Sequence, residues 1–424
     1  MNETPIHFSE PAPRRERVLM AFLVMLGRAL HSAGTTAGRL ETVLSAVARA
    51  HGHEAHVFST PTSFTIALGE PGQQRLALCR VSPGEADLAR LVEVDEVASE
   101  VARGDMSLSA GRRELARIAA ERAPYRASIV LASFGVAAAC AARFFAGTWI
   151  ESVIAGFLGI GVGFIVSRFQ RSERSARVAD FLAGCVAAGA SVLVNRYLFP
   201  IDTTTVTLSA IIVLIPGLTL TVAVSEISTL NLVSGAARLI GAIAVLVSLA
   251  IGIGIGIRLE GHLGMPSGSP DDFYRPADWT KALAVPIAAA AFTILFRARP
   301  RDYIPIAVAG AVGFYGGRLG LVMFGAELGA AVGAFALGVV SNLWSRLRDQ
   351  PAAVTMLPGL ILLVPVRSAC GVCTRSLART TQTRWLASTP RRACSSSPCR
   401  WCSGSCWRAG CSHHANRCES GACG

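Results

Sequence analysis

Apolar residues recur at helical spacing in RERVLMAFLVMLGRAL and again in RLETVLSAVARA, which predicts two amphipathic helices near the start of the chain. Three short β-type runs follow: HEAHVFST, SFTIALG and RLALCRV. They are separated by turn signals at Pro61 to Ser63 and at Glu70-Pro71-Gly72, so each reads as a strand. Helical periodicity then returns in DLARLVEVDEVASEVARG and SLSAGRRELARIAAER. Residues 1–125 are therefore expected to form an α/β domain with helices outside a small sheet.

From Ala127 the pattern changes to apolar stretches of about 18 to 25 residues, the length that crosses a ~30 Å hydrocarbon layer at 1.5 Å per residue. Nine are predicted, near 127–147, 149–168, 178–199, 205–224, 230–257, 280–296, 303–320, 322–343 and 352–366. Lipid offers no hydrogen bonds, so these must be helices. A first membrane section over 126–258, a loop over 259–279, a second section over 280–366 and a tail over 367–424 complete the expected organisation. The fold class is a polytopic α-helical membrane protein with an N-terminal cytoplasmic α/β domain.

Composition agrees with that class. The chain is 52% hydrophobic and 16% charged, with a mean hydropathy of +0.47. The net charge of +12 does not point to nucleic acid, because residues 366–424 hold nine Arg, one Glu and no Lys or Asp, and so supply +8 of it. Basic linkers (RFQRSERSAR, RARPRD, SRLRDQ) alternate with the acidic PIDTT and RLEGHLGMPSGSPDDFYRPADW. The positive-inside rule puts the basic linkers and the N-terminus in the cytoplasm. MNETPIHFSEPAPRRERV lacks the basic start and immediate apolar run of a secretory signal, so no cleaved leader is expected.

The chain repeats itself once. IVLIPGLTLTV at Ile212 to Val222 aligns with VTMLPGLILLV at Val354 to Val364, an offset of 142 residues. Matched Pro-Gly interruptions in membrane helices free backbone groups and point to a transport site. Two five-helix repeats are expected, with the last helix lost.

Three stretches carry a family likeness. LGRALHSAGTTAGRLETVLSAVARAHGHEAHVFSTPTSFTIALG, PGLTLTVAVSEISTLNLVSGAARLIGA and PAAVTMLPGLILLVP occur in that order, and together they resemble the threonine/serine exporters of bacterial inner membranes. The resemblance runs from about Leu26 to Pro365. It implies a ten-span architecture and proton-coupled export of threonine and serine. Two positions depart from the family: Glu226 stands where an aspartate is usual, and after Leu363-Val364-Pro365 the family would continue with Gly and a tenth helix.

The candidate substrate-binding or coupling residues are Pro216, Gly217, Thr219, Glu226, Asn231, Arg238, Glu327, Thr355, Pro358 and Gly359. Glu226 and Arg238 would meet the ammonium and carboxylate of an amino acid, because ionisable groups beside membrane helices face a cavity or a partner. The plain alternative is an ion pair between helix ends. Glu327, expected inside the eighth span, is either a proton carrier or an interfacial carboxylate, with Arg318 as a candidate partner. The two Pro-Gly pairs either expose backbone groups to a zwitterion, with the Thr219 and Thr355 hydroxyls nearby, or are packing kinks. GFLGIGVGF and IGIGIGI read as close helix packing rather than nucleotide loops. His51, His53 and His56 lack further partners at metal spacing apart from Glu54, and neither a metal nor a cofactor is expected.

Nine of the twelve cysteines fall from Cys370 onward. Cys370-x-x-Cys373, Cys399-x-x-Cys402 and His413-His414 have spacings that zinc accepts. A second account is a shifted reading frame at about Pro365-Val366. With 39 Arg against one Lys, the gene reads as GC-rich, and leucine codons of such a gene, read one base later, become Trp and Cys.

The function expected is a secondary transporter, not an enzyme, in a bacterial inner membrane. Threonine, serine, protons and lipid are the expected partners, with further copies of the chain as a candidate oligomer and no nucleic acid. A small dicarboxylate as substrate, or a membrane-anchored α/β enzyme or sensor, are the alternatives.

Overall fold

A computed structural model describes residues 14–69, 74–82, 84, 86–121, 124–169, 173–263, 276–277, 279–348 and 350–363, with backbone only at 173–177, 259–263 and 326–327. The tail and the proposed frame change at Pro365-Val366 lie outside the described residues.

The N-terminal segment holds α1 (Arg14–Ser32), α2 (Ala37–Ala50), β1 (Ala55–Thr60), β2 (Ser63–Leu68), β3 (Arg75–Arg80), α3 (Leu88–Arg103) and α4 (Leu108–Ala120). The three strands pair antiparallel in the order β1-β2-β3, with Val57 opposite Ile66 and Ile66 opposite Ala77. Alternation decides the two faces of the sheet. Phe64, Ile66 and Leu68 are buried against the helices, whereas Phe58, Leu76 and Leu78 are exposed on the other side. Asp87 and Ser107 cap α3 and α4 by accepting from Arg90 N and Ala110 N. Gly104 ends α3 in the left-handed region at φ 84°, where a side chain would be strained.

The remainder is helical: α5 (Ala127–Phe144), α6 (Trp149–Phe169), α7 (Glu173–Tyr197), α8 (Thr203–Ala210), α9 (Gly217–Ser228), α10 (Leu232–Leu263), α11 (Trp279–Leu295), α12 (Tyr303–Phe324), α13 (Ala326–Arg348) and α14 (Ala353–Leu363). Among the described residues, six helices are long and apolar enough to cross a membrane, and the pair formed by α8 and α9, bent by 52°, makes a seventh. Two of the nine expected spans are shorter. At 1.5 Å per residue, α11 extends about 25 Å and α14 about 16 Å, below the ~30 Å of a hydrocarbon layer. The eighth span also starts later than expected, at Ala326, because α12 continues to Phe324. Arg318 is consequently inside α12 rather than at its end.

Glycines set the helix packing. A Cβ on Gly159 of α6 would lie 2.6 Å from Ala138 Cβ of α5, and one on Gly256 of α10 would lie 2.6 Å from Ala188 Cβ of α7. In the α12–α13 pair the approach is to backbone, since a Cβ on Gly333 would stand 2.7 Å from Gly313 O. The Gly-rich runs therefore serve helix contact. One core cluster is continuous from the N-terminal segment (Leu23, Leu26, Phe64, Leu91) into α5, α11, α12 and α14 (Cys140, Ala288, Phe292, Ile306, Leu362).

Candidate functional site

The ten candidate residues separate into distinct places. Glu226 lies nine residues after Gly217 on α9, about 13 Å along the helix at 1.5 Å per residue. A single small amino acid cannot touch both.

The first place is the end of the α9–α10 hairpin. Leu230 takes φ 65° and Asn231 N donates to Glu226 O at 2.9 Å, which stops α9 and turns the chain into α10. Gly235 lets the hairpin close, because a Cβ there would meet Ile227 Cγ1 at 2.6 Å. Ser234 and Arg238, four residues apart, share one face of α10.

Against this hairpin sits the turn between α1 and α2. Thr36, the residue before α2, is extended (φ −70°, ψ 152°) and makes no side-chain cap. The cap comes from across the molecule: Ala37 N donates to Glu226 Oε1 at 2.9 Å. A carboxylate at a helix N-terminus is favourable, and a hydrogen bond to a charged group is worth about 1.5–3 kcal/mol. Glu226, only 2% exposed, also stands with Oε2 3.1 Å from Arg238 Nε. That ion pair is not aligned as a hydrogen bond, and both atoms lack a directed partner. Arg238 donates from Nη2 to Thr35 O at 3.4 Å, and Asn231 Nδ2 lies against the first turn of α2, 3.1 Å from where a Cβ on Gly38 would be.

Buried polar groups without hydrogen-bond partners gather here. Thr35 Oγ1, Ser234 Oγ and His31 Nδ1 join Glu226 Oε2 and Arg238 Nε, in residues that, Arg238 apart, are at most 5% exposed. His31 Nε2 is 3.3 Å from Thr60 O, a pure acceptor, so Nε2 carries the proton and Nδ1 is left as a buried acceptor. Burial, followed by the positive charge of Arg238, holds the His31 pKa below its ordinary value, against the opposing carbonyl of Thr60. Burial raises the Glu41 carboxyl, with Glu226 adding to the effect, although Glu41 accepts from Ser59 N at 2.9 Å. Sequence reasoning named Glu226, Asn231 and Arg238 but not His31, Thr35 or Ser234. The available signal was HSAGTTAG, a polar turn bounded by small residues between two helices.

The second place is the break between α8 and α9. Pro216 precedes α9, whose N-terminus has no side-chain cap, and Gly217 N donates back to Ile215 O at 2.7 Å. Thr219 is half-buried in the first turn. α14 neighbours α9, yet Pro358-Gly359 does not interrupt it: both residues are buried inside a continuous helix, with Leu337 Cδ1 2.5 Å from a Cβ placed on Gly359. Thr355 is buried and donates to Ala352 O at 3.3 Å. The two Pro-Gly pairs thus differ: one breaks a span, and the other packs within a helix. Glu327 is the second residue of α13, at a helix end rather than deep in a span, and its side chain lies outside the described residues.

A cleft of about 680 Å³ lies elsewhere, between α3, α4 and residues 299–301. Its charges are mostly paired, with Arg299 Nη2 3.1 Å from Glu93 and Arg117 Nη2 2.7 Å from Glu114. No group of three metal-ligating side chains occurs among the described residues.

Comparison with known proteins adds the following. The sequence model of a family described as "Putative threonine/serine exporter" matches residues 21–260, and that of "Threonine/Serine exporter, ThrE" matches residues 281–384, continuing past Pro365. Pheromone-regulated membrane protein 10 of Eremothecium gossypii is 26% identical over 361 residues, covering 81% of this chain and 47% of that protein. The protein of the same name in Candida glabrata is 24% identical over 378 residues, covering 85% and 46%. An uncharacterized protein of Schizosaccharomyces pombe is 27% identical over 294 residues, covering 66% and 35%. The chain spans about a third to a half of the length of these relatives. No solved structure matches it.

Proposed function

Because the chain belongs to the threonine/serine exporter family, we propose that it is a secondary transporter carrying threonine and serine out of a bacterial cell across the inner membrane, driven by the proton gradient. Family membership carries this reading. The Glu226–Arg238 pair, buried on the Glu226 side, supports it, since opposite charges 3.1 Å apart complement a zwitterion. Burying such a pair is costly unless both charges are matched. The charge pattern of the linkers supports a cytoplasmic N-terminus. Arg299, in one basic linker, bonds Glu93 and Glu96 of the N-terminal segment, as expected of parts on one side of a membrane.

In this reading Glu226 takes the ammonium, Arg238 the carboxylate, and the hydroxyl of threonine or serine meets Ser234 or Thr35. The break at Pro216-Gly217 is where α8 and α9 flex against each other. Counterflow of labelled threonine in proteoliposomes tests the assignment. Saturable exchange with threonine and serine, together with net transport that a protonophore abolishes, is the expected outcome. Absence of saturable exchange with either amino acid removes it.

A further inference from the structure

We propose that the turn between α1 and α2 occupies the Glu226–Arg238 pair as an internal mimic of the substrate, so that turn and substrate compete for it; this rests on the reading that the pair binds the amino acid.

The first ground is chemical likeness. An α-amino acid offers a nitrogen donor and a carboxylate acceptor close together. The turn offers the Ala37 N–H to Glu226 Oε1 at 2.9 Å and the Thr35 carbonyl to Arg238 at 3.4 Å, with only Thr36 between them. Both contacts are neutral stand-ins for groups that carry full charge in the substrate, so each is charge-assisted from one side only, where an ammonium and a carboxylate would make full ion pairs.

The second ground is an imperfect fit. Glu226 Oε2, Arg238 Nε, Thr35 Oγ1 and Ser234 Oγ are buried without directed partners. Buried polar atoms are normally satisfied. A zwitterion bearing a hydroxyl supplies the missing donors and acceptors, and the turn does not.

The third ground is that release costs α2 little. Thr36 is a preferred N-cap residue type, already in extended backbone geometry, yet its side chain makes no cap while Glu226 does so. When Glu226 turns to a substrate, Thr36 takes over the α2 N-terminus.

Replacing Ala37 by proline tests the competition directly. Position 37 is the first of α2, where proline is well accepted and the N–H is dispensable to the helix, and Thr36 already has the geometry that precedes proline. In the full chain reconstituted in liposomes, Ala37→Pro is expected to lower the half-saturating threonine concentration by about fivefold, as removal of an occupied state does. A second measurement covers a misfolded variant: the double substitution Gly38→Cys with Asn231→Cys, oxidised and compared with each single variant. The cross-linked protein is expected to exchange no threonine and to recover on reduction. Unchanged half-saturation in Ala37→Pro, or full exchange in the cross-linked protein, overturns the competition. Glu226→Gln and Arg238→Lys separate this from the parent reading: if both retain wild-type exchange, the pair is not the substrate site at all.

Discussion

His31 sits under the turn that Glu226 caps, with its pKa lowered chiefly by burial. Its sign of linkage follows from that direction. The unfolded chain binds a proton near the ordinary value of 6.5, whereas the folded chain resists it. The His31 contribution to stability is complete above that value, and it declines as pH falls through it towards the lower folded pKa. Glu41, raised by burial, acts oppositely at more acidic pH. Thermal melting in detergent is expected to lose stability between neutral pH and about pH 5, and His31→Gln is expected to flatten that slope. An equal slope in both proteins would assign the dependence elsewhere. At this scale the sequence was legible in part. Glu226, Asn231 and Arg238 stood out because charge and amide groups are rare in apolar surroundings. Thr35 and Ser234 did not, because a hydroxyl in a turn or a helix is common, and only the neighbouring Ala37–Glu226 contact, across 189 residues, makes these two significant.

Elements were the more readable level. Periodicity located the four N-terminal helices within a few residues, because each has one wet and one dry face, and the turn signals bounded the three strands. Membrane helices are apolar all round, so their ends were less distinct, and the division at Gly325 was expected earlier, at residue 321, because apolar residues run up to it. The effect of Pro-Gly was also not legible from the pair alone. Pro216 stands at a helix start after a bend, while Pro358 is held inside α14 by packing against α12 and α13. Glycine contact gives the element scale its prediction. Gly333→Ala places a methyl 2.7 Å from Gly313 O, a backbone atom that cannot rotate away. Parting α12 from α13 should cost about 1–3 kcal/mol, as overpacking does, seen as a lower melting temperature. Gly338→Ala, whose added Cβ meets nothing within 4 Å, is the control expected to melt no lower than the parent.

Among the described residues, two joints tie the N-terminal segment to the membrane helices. One is the α1–α2 turn on α9 and α10. The other joins α3 to the link between α11 and α12. There Leu88 N donates to Phe296 O at 3.0 Å, Tyr125 donates to Ala298 O at 2.7 Å, and Arg299 pairs with Glu93 and Glu96. Arg299→Ala is expected to speed hydrogen exchange at the start of α3, by about 1 kcal/mol of local opening, while leaving α2 unchanged. Equal acceleration in both helices would mean that the segment opens as one unit.

The two joints differ in exposure, and ionic strength tells them apart. Glu96, at the α3 joint, has a side chain 51% exposed, whereas Glu226 has one 3% exposed. Between about 0.15 M and 1 M salt the screening length shrinks from ~8 Å to ~3 Å. Concentrated salt should therefore slacken the grip on the second membrane section and leave the grip on the first intact, so that a single solution variable loosens one pier of a two-pier bridge.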